Sequence, residues 1–149
     1  MITDCQVADI LYFEKYFFTD NNKSAPHFGL VILPPYLTRI PFSSVKLANN
    51  IWCCVITSKK SRRFFLLLLS SKYSCFKVDS YACFDRMDIN SLTDLDDKYS
   101  QPVTSLDKKD IKESLKTLRT LLFTDPKFIE DKFLRATILR EWKNKRDSL

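Results

Sequence analysis

The chain has 149 residues, with 24 Lys and Arg against 18 Asp and Glu, a formal charge of +6. That is the size of one domain, and the charge leans toward nucleic acid, anionic surfaces or an acidic protein partner. Hydrophobic residues make up 45%, with twelve Phe, six Tyr and two Trp, enough apolar area to offset the entropy of ordering and exclude a disordered chain. A single glycine, Gly29, excludes Gly-rich nucleotide and P-loop motifs.

Residues 1–9 hold two acids and no cationic stretch ahead of an apolar one, so no targeting segment is expected. The longest strongly apolar run, residues 64–69, falls far short of the roughly 20 residues of a spanning helix. The five cysteines are odd in number and form no C-x-x-C pair, and adjacent Cys53 and Cys54 would face opposite sides of a strand. They read as reduced thiols of a cytoplasmic protein without a membrane. The only histidine is His27, so neither a zinc site nor any other metal or cofactor is expected.

Residues 7–18, rich in aromatic and β-branched types, read as a first strand, and residues 19–24 as a polar turn. Residues 27–33 form a second strand, stopped by Pro34 and Pro35. Residues 36–50 are broken by Pro41. Residues 51–57 give a third strand and 58–63 a cationic turn. Residues 64–69, apolar on both faces, read as a central fourth strand, residues 70–78 as a turn or short strand, and residues 80–87 as a fifth. Short strands with regular turn punctuation argue for a small barrel or sandwich.

Beyond residue 103 the pattern turns helical. Asp107 can cap a helix with Asp110 in its first turn, and Ile111, Leu115, Leu118 and Leu122 recur at helical spacing. Asp125 followed by Pro126 predicts the cap and first position of a second, basic helix. Its apolar side would be Phe128, Ile129, Phe133, Ile138, Leu139 and Trp142. The expected fold is thus mainly β with C-terminal helices.

Four segments, in this order, resemble the MazF/PemK-like toxin ribonucleases. Val7-Ala8-Asp9-Ile10-Leu11-Tyr12-Phe13, running to Phe18-Thr19-Asp20, is similar to an opening strand that begins Gly-Asp-Ile and ends at Phe-Thr-Asp. His27-Phe28-Gly29-Leu30-Val31-Ile32 sits where that family has Arg-Pro-x-Leu-Val. Val55-Ile56-Thr57-Ser58 matches its Ile-Thr-Ser strand end, and Ser80-Tyr81-Ala82-Cys83-Phe84-Asp85-Arg86-Met87-Asp88 its late Ser-Tyr-Val-x-x-Asp-Gln strand. The resemblance implies a small SH3-like β-barrel (MazF/PemK/CcdB-like) with its helix over residues 1–123. Residues 124–149 form a basic helical extension outside it.

The same resemblance implies a homodimer that cleaves single-stranded RNA without metal, by attack of the 2′-hydroxyl on the adjacent phosphate. It implies a toxin–antitoxin or defence setting, with an antitoxin or other protein partner. The reaction needs proton transfer and stabilisation of a phosphorane. The family positions fall on His27 as acid or base, Thr57 as phosphate donor, and Asp85 with Arg86 as supporting acid–base and charge groups. His27 replaces an arginine, a permanent bidentate clamp, with a group suited to proton transfer. The alternative reading is therefore an inactive barrel that binds protein or nucleic acid. RNA contacts are expected from the basic run Ser58, Lys59, Lys60, Arg62 and Arg63, and from Arg39; Tyr36 in the same loop is expected to pack, with base stacking as its alternative use.

Overall fold

In the computed structural model the described residues are 5–35, 50–59, 63–91 and 102–149. Six strands, β1 (Asp9–Phe18), β2 (Lys23–Leu33), β3 (Asn50–Thr57), β4 (Phe65–Leu68), β5 (Ser80–Ser91) and β6 (Pro102–Ser105), precede two helices, α1 (Lys108–Thr124) and α2 (Lys132–Asp147). The strands form one antiparallel sheet in the order β4-β5-β3-β2-β1-β6. The architecture is mainly β with C-terminal helices. No helix of the described residues is long and apolar enough to cross a membrane.

Alternation along the strands sends side chains to two apolar layers. On one face Ile10, Leu30, Ile32, Cys54, Ile56 and Phe84 join Ile111, Leu115, Leu118, Leu122, Ile138 and Trp142 of the helices. On the other, Leu11, Phe13, Tyr16, Val31, Cys53, Val55 and Cys83 pack together. Cys53 and Cys54 accordingly separate to opposite faces, and none of the five cysteines forms a disulfide.

The sheet curls. A bulge between Phe13 and Tyr16 bends β1, and its far end reaches β5, three strands away in the sheet order. The Tyr16 hydroxyl donates to Asp88 Oδ2 at 2.8 Å, Thr19 N–H to Asp88 Oδ1 at 2.8 Å, and Phe17 N–H to Asn90 Oδ1 at 2.9 Å. Burial, with Cys53 and Asp88 nearby, pushes the Tyr16 phenol well above its ordinary pKa, so it remains a donor.

Gly29 lies under this curl. A Cβ there would meet ring carbons of Phe13 and Tyr16 at 3.0 Å each and Cys53 Cβ at 3.3 Å. Gly29→Ala is expected to cost about 1–3 kcal/mol by overpacking, read as a lower urea midpoint. An unchanged midpoint would mean the two rings have room to move. Ala8, just before Asp9 and Ile10, has φ of 73°, a left-handed conformation that glycine adopts without strain. It is pinned there by Ala8 N–H to the Val31 carbonyl and Leu106 N–H to the Ala8 carbonyl, both 3.0 Å.

α1 begins as expected: Asp107 caps it, accepting from Asp110 N–H. Lys72 bridges Asp107 and Asp110, and the Tyr73 hydroxyl donates to Asp110, so the turn after β4 locks onto the helix start. Hydrogen bonds to Asp107 and then Asp110 hold the Lys72 amine above its ordinary pKa.

Several expectations are corrected. β4 is the outermost strand of the described sheet, not a central one. Leu66 and Leu68 face the core while Leu67 and Leu69 are exposed. β2 begins four residues earlier than expected, β5 runs on to Ser91, and β6 is an additional short strand just before the Asp107 cap. α2 does not start at Pro126. Asp125 instead closes α1, its N–H donating to the Leu121 carbonyl, and residues 126–128 turn. The cap of α2 is Asp131, which accepts from Phe133 and Leu134 N–H. Ile129 is still buried, but from the connecting segment.

Candidate functional site

Where the middle of β2 passes the end of β3, the sheet opens into a groove of about 410 Å³. His27 and Phe28 come from β2, Ile56, Thr57 and Ser58 from β3 and its exit, and Cys75, Phe76, Lys77, Val78 and Ser80 from the turn leading into β5. Antiparallel pairing of Gly29 with Val55 runs these segments alongside each other, which is why His27 and Thr57, thirty residues apart, share one groove.

The local chemistry of both residues is defined. His27 Nδ1 lies 3.1 Å from the Phe28 carbonyl oxygen. A carbonyl can only accept, so Nδ1 carries the hydrogen, and in the neutral ring Nε2 is the nitrogen that can take a proton. The ring is held edge-on against Phe18 at 5.4 Å and tilted against Tyr16 at 6.0 Å. Thr57 Oγ1 accepts from Lys59 N–H at 3.2 Å. A hydroxyl that accepts from the backbone keeps its own hydrogen for an incoming oxygen.

The part of the groove built by residues 75–80 was not anticipated from sequence. Lys77 supplies an exposed cation, and Phe28 and Phe76 meet edge-to-face at 5.0 Å to make an apolar wall. Lys77 is a lone lysine in a turn, and only the docking of residues 70–79 against β2 and β3 reveals it. Ser80 is buried and donates to the Val78 carbonyl.

Asp85 and Arg86 stand elsewhere. Between the pairs Cys54–Met87 and Ile56–Ala82, β3 has only Val55 while β5 has residues 83–86. This irregularity turns residues 83–86 away from β3, and Phe84 N–H donates instead to the Phe64 carbonyl. Asp85 and Arg86 line a separate recess with Thr19, Asp20, Met87, Asp88 and Phe128, sharing no residue with the His27 groove. Arg86 pairs with Asp20 at 3.7 Å, both exposed, and Asp85 Oδ1 is buried without a partner among the described residues.

Of the expected RNA contacts, Ser58 and Lys59 are exposed at the groove's edge, with Ser58 lining it. Arg63 lies over the Phe64 ring at 4.9 Å in a cation–π contact and does not line the groove. Arg39, Tyr36, Lys60 and Arg62 lie outside the described residues. With this geometry in view, the chain matches no family model and no curated protein.

Proposed function

We propose that this chain is a metal-independent endoribonuclease acting on single-stranded RNA in the His27–Thr57 groove. The observation that carries the reading is one groove holding a proton acceptor at His27, a hydroxyl donor at Thr57 and a cation at Lys77. In the reaction His27 Nε2 takes the 2′-hydroxyl proton as the 2′-oxygen bonds to phosphorus. Thr57 and Lys77 stabilise the phosphorane oxygens. The bond to the 5′-oxygen breaks, that oxygen takes a proton from solvent, and a 2′,3′-cyclic phosphate remains. Half-buried Phe28 offers an apolar surface for a base, backed by buried Phe76. Asp85 and Arg86, in their separate recess, have no part in this scheme.

The curled sheet is taken as an SH3-like barrel of the MazF/PemK kind. From that resemblance the proposal extends to a homodimer in a toxin–antitoxin or defence setting, with a protein antitoxin as partner. A second reading, a barrel that binds RNA or protein without cleaving, is favoured by one observation: the family's acidic position, Asp85, is absent from the groove.

End-labelled single-stranded RNA incubated with the protein and EDTA tests the choice. Cleavage to cyclic-phosphate ends is expected, falling about 100-fold or more in His27→Ala and by a similar factor in Thr57→Val. Asp85→Asn should lower it far less. Equal rates in all variants would place the activity elsewhere or in a contaminant. No cleavage by wild type over several RNA sequences would leave the binding reading.

A further inference from the structure

A second groove lies between the two helices and shares no lining residue with the His27 groove. It measures about 700 Å³ and runs between the C-terminal half of α1 and α2, lined by Arg119, Thr120, Leu122, Phe123, Lys132, Arg135 and Leu139. Two features separate it from an ordinary solvated helix face. Phe123 is 85% exposed, although α1 buries Leu118, Leu121 and Leu122 beside it. The lining contains three cations and no acid. Arg135 is held in place by donating to the Leu122 carbonyl at 2.7 Å. Arg119 and Lys132 enter no ion pair among the described residues. Lys112 and Lys116, exposed at helical spacing before Arg119, continue the cationic edge along α1.

An apolar floor edged by unpaired cations is complementary to a ligand that is apolar on one side and acidic at its flanks. We propose that this groove docks an acidic amphipathic segment of a protein partner. Its apolar side chains sit on exposed Phe123 and half-buried Leu139, and its carboxylates face Arg119, Lys132 and Arg135. An RNA strand fits less well, because it would set hydrated phosphates against Phe123 and Leu139. The site is separate from the RNA groove and does not depend on that reading.

The probe is a fluorescein-labelled, helix-forming peptide of about 18 residues, long enough to follow α1, with Leu and Phe along one face and Glu elsewhere. Two comparison probes are the same peptide with its Leu and Phe replaced by Ser, and a labelled oligouridylate. The full chain is expected to bind the amphipathic peptide and to bind the Ser version at least about tenfold more weakly. Phe123→Ala and the pair Arg119→Glu, Lys132→Glu should each weaken the peptide about tenfold with the far-ultraviolet dichroism unchanged. His27→Ala should leave it bound. Absent peptide binding, binding indifferent to these variants, or equal binding of the Ser peptide would overturn the proposal. Loss of oligouridylate rather than peptide affinity in the groove variants would overturn it in favour of a nucleic-acid surface.

Discussion

Trp142→Ala is expected to lower the unfolding free energy by about 4–5 kcal/mol, the largest loss from any single truncation considered. Trp142 is fully buried, stands edge-on to Phe84 with ring centres 6.5 Å apart, and donates its indole N–H to the Ile32 carbonyl at 3.0 Å. Truncating a buried Trp leaves a cavity worth about 3–5 kcal/mol, and the orphaned Ile32 carbonyl adds about 1 kcal/mol or more. Domains of this size hold only about 5–15 kcal/mol in total, so the variant should unfold at markedly lower urea. Trp142→Phe keeps most of the volume and loses the hydrogen bond, and should fall between the two. Were α2 a loosely attached tail, both variants would unfold with wild type.

The second large effect is expected at Asp88. This buried carboxylate accepts from the Tyr16 hydroxyl and from Thr19 N–H, tying the bent end of β1 to β5. Asp88→Ala removes both bonds and leaves the fully buried Tyr16 hydroxyl unpaired, at about 3 kcal/mol. Tyr16→Phe removes a single bond with its donor, and should cost about 1 kcal/mol. Because the Tyr16 and Phe18 rings flank His27, Asp88→Ala should also impair RNA cleavage without touching the groove. Denaturant unfolding of both variants and the double variant checks this. The double variant should lose less than the sum of the two singles, because Tyr16→Phe removes the hydroxyl that Asp88→Ala leaves unpaired; a loss equal to the full sum would show that the two residues act apart.

Much of this fold is written locally. The α1 stripe and its Asp107 cap are visible because both the 3.6-residue spacing and the cap depend on neighbouring residues alone. The strands on either side of the groove are equally plain from their apolar content. Much of what was misread depends on distant pairing. Residues 64–69 are apolar throughout, and only the strand order shows that Leu67 and Leu69 point outward from an edge. Asp125 followed by Pro126 carries a sound helix-start signal, but Asp125 N–H is already committed to Leu121. β6 is four residues long, begins with Pro102, and exists through its pairing with β1.

The candidate site divides in the same way. Strands that run side by side bring His27 and Thr57 together, so a motif order along the chain could point to both. Asp85 follows the same motif logic but stands in a separate recess, where residues 83–86 have no partner on β3 but Val55. Lys77 and the Phe28–Phe76 wall enter the groove by the docking of a turn, and nothing in their immediate sequence marks them.

The most direct test of the account is an NMR titration of the labelled protein with a short single-stranded RNA carrying 2′-deoxy substitutions, which can bind but not be cut. Shifts concentrated on His27, Thr57, Ser58, Phe76 and Lys77, with Asp85 and Arg86 largely still, are the predicted result. Shifts centred on Asp85, Arg86 and Asp20, or on none of these residues, would contradict it.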